Sequence, residues 1–244
     1  MNARSKEDGL AYADDDRESQ LHAEMAHPIW VDTNAMPWSG SPAEGVERKR
    51  LELIGADQPQ LTTLVRFAAG SRFPAHAHDG GEEYLVLDGI FSDERGHYPT
   101  GTYVRNPPGS CHAPYTENGC TLLVKLRQFQ AGDDLQLVVD SEKEAWERIA
   151  PQAERLRLHR WGDEQVFLMR SQPGYTASGD IFAQGAELWV ISGELAVGRG
   201  VAPTGTWLRF PPGTSCEVIA CYGGCCCYVK QGPAQRYRQS TSAD

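Results

Sequence analysis

Short runs of apolar or alternating residues recur along the chain, at Leu61–Phe67, Glu83–Leu87, Thr121–Leu126, Leu188–Ile191 and Thr206–Phe210, and clusters of Gly and Pro separate them. Runs of this length bounded by turn residues predict β-strands. One stretch departs from the pattern: 141–157 is rich in Glu and Arg, is interrupted by Pro151 and offers Ser141 as an N-cap. It predicts a short helical connector. Helices do not otherwise alternate with strands, which disfavours a doubly wound α/β fold and leaves an all-β one.

The pattern repeats. Displacing the sequence by 104 positions superposes Gly70 on Gly174, Gly89 on Gly193, 99–102 on 203–206 and 107–109 on 211–213. Between the pairs Leu64/Leu168 and Gly119/Gly223, 18 of 56 positions are identical, against about 4 expected from composition alone. The shared residues are mostly Gly and Pro, which fix tight turns. A duplicated turn framework predicts two antiparallel β-domains of barrel or sandwich type.

Composition narrows the function classes. The 244 residues carry 23 basic and 33 acidic side chains, a net charge of −10, so no basic field is available to attract a nucleic-acid backbone. No apolar run reaches the roughly 20 residues of a membrane span, and the polar segment 1–20 lacks the apolar core of a signal peptide. A cytoplasmic protein without membrane or nucleic-acid partners is expected. Residues 1–22, with Asp14–Asp16, read as a disordered acidic tail and 233–244 as a flexible one. The seven cysteines are odd in number, and Cys225–Cys227 are adjacent, so reduced thiols are expected.

The residues with chemistry to offer lie in the first repeat. They read G-x5-H-x-H-x3-E-x6-G from Gly70 through His76, His78 and Glu82 to Gly89, then G-x5-P-x-G-x2-H from Gly101 to His112. Residues two apart on a strand share a face, so His76 and His78 present their rings side by side. Glu82 keeps that parity beyond Gly80-Gly81, and His112 follows a Pro-Pro-Gly turn able to bring a distant strand alongside. Three imidazoles and a carboxylate suit one divalent cation: zinc, iron(II), nickel, copper or manganese. Glu83 is the rival carboxylate, but it lies on the opposite strand face, and its counterpart Glu187 persists where the other ligands do not. The positions 104 further on are Asp180, Phe182, Ala186 and Cys216, so the second domain is expected to be metal-free.

These two motifs resemble those of the cupin superfamily, with Thr116 in place of the Asn that usually ends the second. The wording of 76–89, of Phe91-Ser-Asp-Glu and of 103–112 is similar to the ChrR-like cupin domain. The resemblance covers 29–129 well and 156–232 as a diverged copy. It implies two RmlC-like jelly-roll barrels in tandem, a metal-binding one at 23–140 and a degenerate one at 158–232, joined by the connector 141–157. In ChrR anti-sigma factors the cupin part binds zinc and follows a helical domain with His-x3-Cys-x2-Cys. Here no cysteine precedes Cys111, so the sigma-binding half is expected to be absent.

The leading expectation is therefore a cytoplasmic sensor or binding module holding one divalent ion, zinc first, with iron(II), nickel or manganese as alternatives. The rival expectation is an iron(II)-dependent dioxygenase cleaving a small diketone or hydroxyacetophenone, as related barrels do. Tyr84, Tyr103 and Arg105 are candidate anchors for a small-molecule ligand or effector, although Arg209 and Trp207 at the equivalent places suggest a structural job. A third reading is a thiol sensor built from Cys216, Cys221 and Cys225–Cys227, against a default of core packing. Monomer and homodimer are both compatible with these features.

Overall fold

The computed structural model describes residues 20–56, 58–177, 182–198, 200–215, 217–233 and 236. It is all-β. Its strands are β1 (Ile29–Asp32), β2 (Ser39–Gly40), β3 (Val46–Ile54), β4 (Gln60–Phe67), β5 (His76–His78), β6 (Glu82–Asp93), β7 (Gly96–Pro99), β8 (Thr102–Asn106), β9 (Ser110–His112) and β10 (Cys120–Leu126), then β11 (Leu137–Asp140), β12 (Glu147–Ala150), β13 (Ala153–Trp161), β14 (Glu164–Ser171), β15 (Thr176–Ala177), β16 (Ala186–Val197), β17 (Gly200–Pro203), β18 (Thr206–Phe210) and β19 (Val218–Gln231). A 3-10 turn, Thr33–Ala35, follows β1. No helix among the described residues is long and apolar enough to cross a membrane.

The chain divides into two compact units. The first takes the described parts of Met1–Ala23 and Pro37–Lys143, and the second takes Glu24–Met36 and the described parts of Glu144–Asp244. The first unit is a sheet ordered β11-β8-β6-β10-β4-β3-β2, with β7 on β6 and a separate two-stranded ladder β5-β9. The second is ordered β1-β18-β16-β19-β14-β13-β12, with β15 on β19 and β17 on β16. Closed barrels were expected, but among the described residues each sheet stays open at its end strands. In the first unit the two-residue β2 bonds only β3, and the β5-β9 ladder bonds only itself.

Each unit encloses an apolar core of alternating residues. In the first these include Val65, Phe67, Tyr84, Val86, Phe91, Val104 and Leu122, and in the second Met169, Leu188, Val190, Leu195, Leu208 and Cys227. The duplicated turns are the same structure twice. Gly101 donates its N–H to Val86 O and Gly205 to Val190 O, each at 2.8 Å, while Thr100 and Thr204 bond the carbonyls of Gly89 and Gly193. At Gly89 and Gly193 the backbone has φ +76°, and the carbonyls of Gly119, just before β10, and of Gly224 in β19 would lie 2.1 Å from an added Cβ. Only glycine fits both demands. Register makes Cys225 the counterpart of Cys120, since they face Gly193 and Gly89 respectively.

Three expectations need correction. The connector 141–157 is not helical: a turn leads into the hairpin of β12 and β13, with Pro151-Gln152 at its tip. Its charges match across strands, Arg155 with Glu147 at 2.9 Å and Arg170 with Glu154 at 2.7 Å, while Leu156 and Leu158 are buried. Cross-strand pairing and burial override the helical preference of Glu and Arg. The bounds 1–22 expected for the acidic tail do not hold at 21 and 22, because Leu21 bonds both ways with Leu53 and His22 Nδ1 donates to Leu51 O. Residues 1–19 lie outside the described residues. In the C-terminal tail Arg236 is buried and paired with Glu187, which needs a cationic partner in a low-dielectric site; 234–235 and 237–244 lie outside the described residues.

The thiols are free among the described cysteines. Cys225 and Cys227 belong to the second core, with sulfurs 3.3 Å apart. The hydrogen bond to Cys225, together with burial, pushes the Cys227 thiol up, and burial pushes Cys226 up to about 11. Both effects oppose the low-pKa thiolate that a sensor requires. Cys216 lies outside the described residues.

Glycine geometry yields a graded test. Gly70 has the same φ, +76°, but open space around a Cβ, so Gly70→Ala should cost about 1–2 kcal/mol of unfolding free energy. Gly89→Ala adds the clash and should cost about 3 kcal/mol or more. Urea unfolding curves with equal losses for the two variants would contradict the bulge geometry.

Candidate metal centre

Alternation in His76-Ala77-His78 turns both imidazoles to one side of β5, and antiparallel pairing sets His76 directly opposite His112 on β9. Two turns anchored on one carbonyl make this possible: Gly81 and Gly109 both donate N–H groups to His78 O, at 3.2 and 2.8 Å. The three rings form a near-equilateral triangle, with centroids 4.8, 4.9 and 4.9 Å apart. One nitrogen from each lies within 4.8 Å of the others, an arrangement that can hold a metal ion. Relative exposures are 8% for His76, 3% for His78 and 2% for His112.

Glu82 opens β6, and its Oε2 lies 3.5 Å from His78 Nε2 and 3.6 Å from His112 Nε2. Asn106, its direct partner on β8, donates Nδ2 to the same oxygen at 3.1 Å. All four side chains singled out by the motif spacing are thus brought together. Glu83 points to the other face, as its parity requires.

Ring orientation is set from outside the triangle. His76 Nδ1 donates to Pro74 O at 2.9 Å, and His112 Nδ1 donates to Asp93 Oδ2 at 3.3 Å. With the proton on Nδ1, a neutral imidazole keeps a lone pair on Nε2. Asp93 is itself held by Tyr98 Oη at 3.0 Å and by the Arg95 and Gly96 N–H groups. This is the carboxylate–histidine arrangement that orients metal ligands. The Nε2 atoms of His76 and His78 are buried without a hydrogen-bond partner, an unfavourable state for a polar atom and a fitting one for a ligand.

Protonation follows the same geometry. Burial lowers His76 and takes His78 from 6.5 to about 4, keeping both neutral. Burial also opposes a charge on His112, but the Asp93 hydrogen bond and the Glu82 carboxylate outweigh it and raise that ring. Glu82 loses solvation, yet the histidines and Asn106 hold its carboxyl below the ordinary value.

Of the proposed ligand anchors, only Tyr84 shares the Glu82 face. It is buried, lies edge-on to Phe91 with centroids 5.1 Å apart, and has no hydrogen-bond partner for its hydroxyl. Tyr103 and Arg105 correct the expectation, since they pair with Leu85 and Glu83 on the opposite face. Tyr103 Oη and Arg105 Nη1 both donate to Glu83 Oε2, at 2.6 and 3.0 Å, and Arg105 also pairs with Asp133. Trp207 Nε1 repeats the bond to Glu187 at 3.1 Å in the second unit. Thr116, the departure from the motif, bonds Ile90 O and receives the Gly119 N–H, holding a turn rather than an ion.

The second unit fills the same place with hydrocarbon. Phe182 replaces His78, Ala186 replaces Glu82 and Phe210 replaces Asn106, with the two phenyl rings 4.4 Å apart. Gly213 still donates to Phe182 O at 2.9 Å, as Gly109 does to His78 O. Asp180 and Cys216 lie outside the described residues.

Asp93 and Asn106 are the site residues that sequence reasoning missed. Asp93→Asn should weaken metal affinity by about 10–100-fold, read by competition with a chromophoric chelator. Unchanged affinity would remove Asp93 from the site. For the metal-free protein, the unfolded chain binds the extra protons at His76 and His78 below their ordinary value of 6.5. These two rings therefore make stability fall as pH drops from 6.5 toward about 4, while His112 works in the opposite sense. His78→Gln should flatten that fall in urea titrations across the window.

The model of the ChrR cupin-like domain family matches twice, at 26–130 and 134–235. No curated protein matches. Among solved structures, a Nostoc punctiforme protein superposes with TM-score 0.70 at 15% identity, over 88% of this chain and 85% of that one. A bacterial pirin from Escherichia coli in complex with nickel(II) gives 0.62 at 14%, over 85% and 100%. Salicylate 1,2-dioxygenase from Pseudoaminobacter salicylatoxidans, as a variant in complex with gentisate, gives 0.61 at 11%, over 88% and 84%. At these identities the likeness is one of fold, but the double family match spans most of the chain and carries more: the protein belongs to the ChrR cupin-like domain family and contains two copies of that domain.

Proposed function

We propose that the first unit binds one divalent first-row cation through His76, His78, His112 and Glu82, and that the protein is a metal-dependent sensor or binding module. The observation that carries this reading is the pair of buried, unpartnered Nε2 atoms on His76 and His78, in a triangle of rings closed by His112, with the Glu82 carboxylate 3.5 and 3.6 Å from the Nε2 atoms of His78 and His112. Neutral nitrogen donors with one carboxylate oxygen fit zinc first, and iron(II), nickel or manganese as well. The bound ion would supply Lewis acidity and a fixed positive charge. The chain's own residues keep the rings deprotonated by burial, orient them through Pro74 and Asp93, and hold Glu82 through Asn106.

A second reading is an iron(II)-dependent dioxygenase acting on a small ketone. It is supported by the fold shared with salicylate 1,2-dioxygenase and by arithmetic: four protein ligands leave two positions on a six-coordinate ion. Tyr84, inward-facing and unpartnered, is the residue of this chain that such a substrate could meet.

Elemental analysis of protein purified without added metal is expected to give about one ion per chain, and His76→Ala with His112→Ala should abolish it while leaving the second unit folded. Retention of the ion by the double variant would end the metal assignment. On iron-loaded protein, a panel of β-diketones and hydroxyacetophenones in an oxygen electrode separates the two readings. Absence of uptake beside tight zinc binding is the outcome expected for a sensor.

A further inference from the structure

The two units do not coincide with the two sequence repeats. The family model assigns β1 to the first copy and β11 to the second, yet β1 lies in the second unit and β11 in the first. Pairing shows that the two strands are counterparts. Ile29, Trp30, Val31 and Asp32 face Arg209, Leu208, Trp207 and Thr206, while Leu137, Val138, Val139 and Asp140 face Arg105, Val104, Tyr103 and Thr102. The facing residues are equivalent, each 104 positions apart.

The likeness continues past the strands. Asp32 Oδ1 accepts from Asn34 N at 2.9 Å and Asp140 Oδ1 from Glu142 N at 3.1 Å, the same side-chain-to-backbone turn. Thr33 N donates to Gly205 O at 3.1 Å and Ser141 N to Gly101 O at 3.3 Å. Each segment then reaches a tryptophan, Trp38 or Trp146, stacked under Arg66 or Arg170 at 4.3 Å in both cases. Trp38 already belongs to the first unit and Trp146 to the second. Every repeat thus places its opening strand in one unit and its remaining strands in the other.

We infer that the repeats exchange their first strands, and that the retained function of the ligand-poor second repeat is to act as an in-cis partner completing the metal-binding unit. The donated β11 is the terminal strand of the first sheet and bonds β8, the strand whose Asn106 holds Glu82. Without it, the backbone edge of β8 would stand open, the kind of edge that invites wrong pairing. A second repeat kept for its opening strand needs its framework, including the paired glycine turns, but not its imidazoles. That is the pattern of loss and retention observed at Phe182 and Ala186.

Hydrogen exchange on the full chain tests this, first through two glycine variants that need no metal. Gly89→Ala loosens the first unit and Gly193→Ala the second. Peptides covering 137–140 should exchange at least ~10-fold faster in Gly89→Ala and keep wild-type protection in Gly193→Ala, whereas those covering 29–32 should do the reverse. The opposite pairing of strand and variant, with 29–32 following Gly89→Ala, would overturn the exchange. Should Gly89→Ala not fold, zinc added to the wild-type chain replaces it. Protection should then rise at 137–140 and 102–106, and a rise at 29–32 without one at 137–140 would overturn the inference.

Discussion

The register of a three-residue ladder governs the candidate site. Because His76 faces His112 across β5 and β9, two stretches more than thirty residues apart deliver imidazoles to one point. A slip of one residue would turn His112 away and bring Cys111 into its place. Nothing within so short a ladder could resist that slip, so the register is imposed by its surroundings. Both flanking turns fasten to the single carbonyl of His78, and Asp93 secures His112 from the β6–β7 hairpin.

Around that ladder the chemistry is arranged in layers of decreasing polarity. The carboxylate of Glu82 lies beside His78 and His112, Asn106 and Asp93 hold Glu82 and His112 from behind, and the rings of Phe73 and Phe91 pack against His76 and His112. Burial keeps the rings of His76 and His78 neutral, which favours capture of a cation rather than a proton. The same enclosure would make an uncompensated Glu82 carboxylate costly. The donor set is therefore coherent only as a whole.

Much of this was legible in the sequence because parity and residue type agree there. His76 and His78 share a face by simple alternation, Glu82 follows them across the Gly80-Gly81 turn, and no apolar role explains three polar residues in a buried strand region. Asp93 escaped because β6 is irregular: Thr121 faces Asp88 but Leu122 faces Val86, so Leu87 breaks the alternation and odd-numbered residues turn inward beyond it. Tyr103 and Arg105 were misplaced for a related reason. Their parity can be fixed only through the partner strand, where they oppose Leu85 and Glu83. The 141–157 segment misled because Glu and Arg favour helices locally, whereas their partners here lie across a hairpin. The strand exchange is invisible to a repeat search, which pairs the two copies without saying which sheet receives either opening strand.

The phenylalanine pair at Phe182 and Phe210 makes the two halves of the molecule chemically unlike. The place that three imidazoles and a carboxylate occupy in the first unit is filled with hydrocarbon in the second, so a cation taken up by those imidazoles would act on a single half of the molecule. The second repeat, with the same turns but with Phe182 and Ala186 where the first has His78 and Glu82, is a built-in control for any such effect.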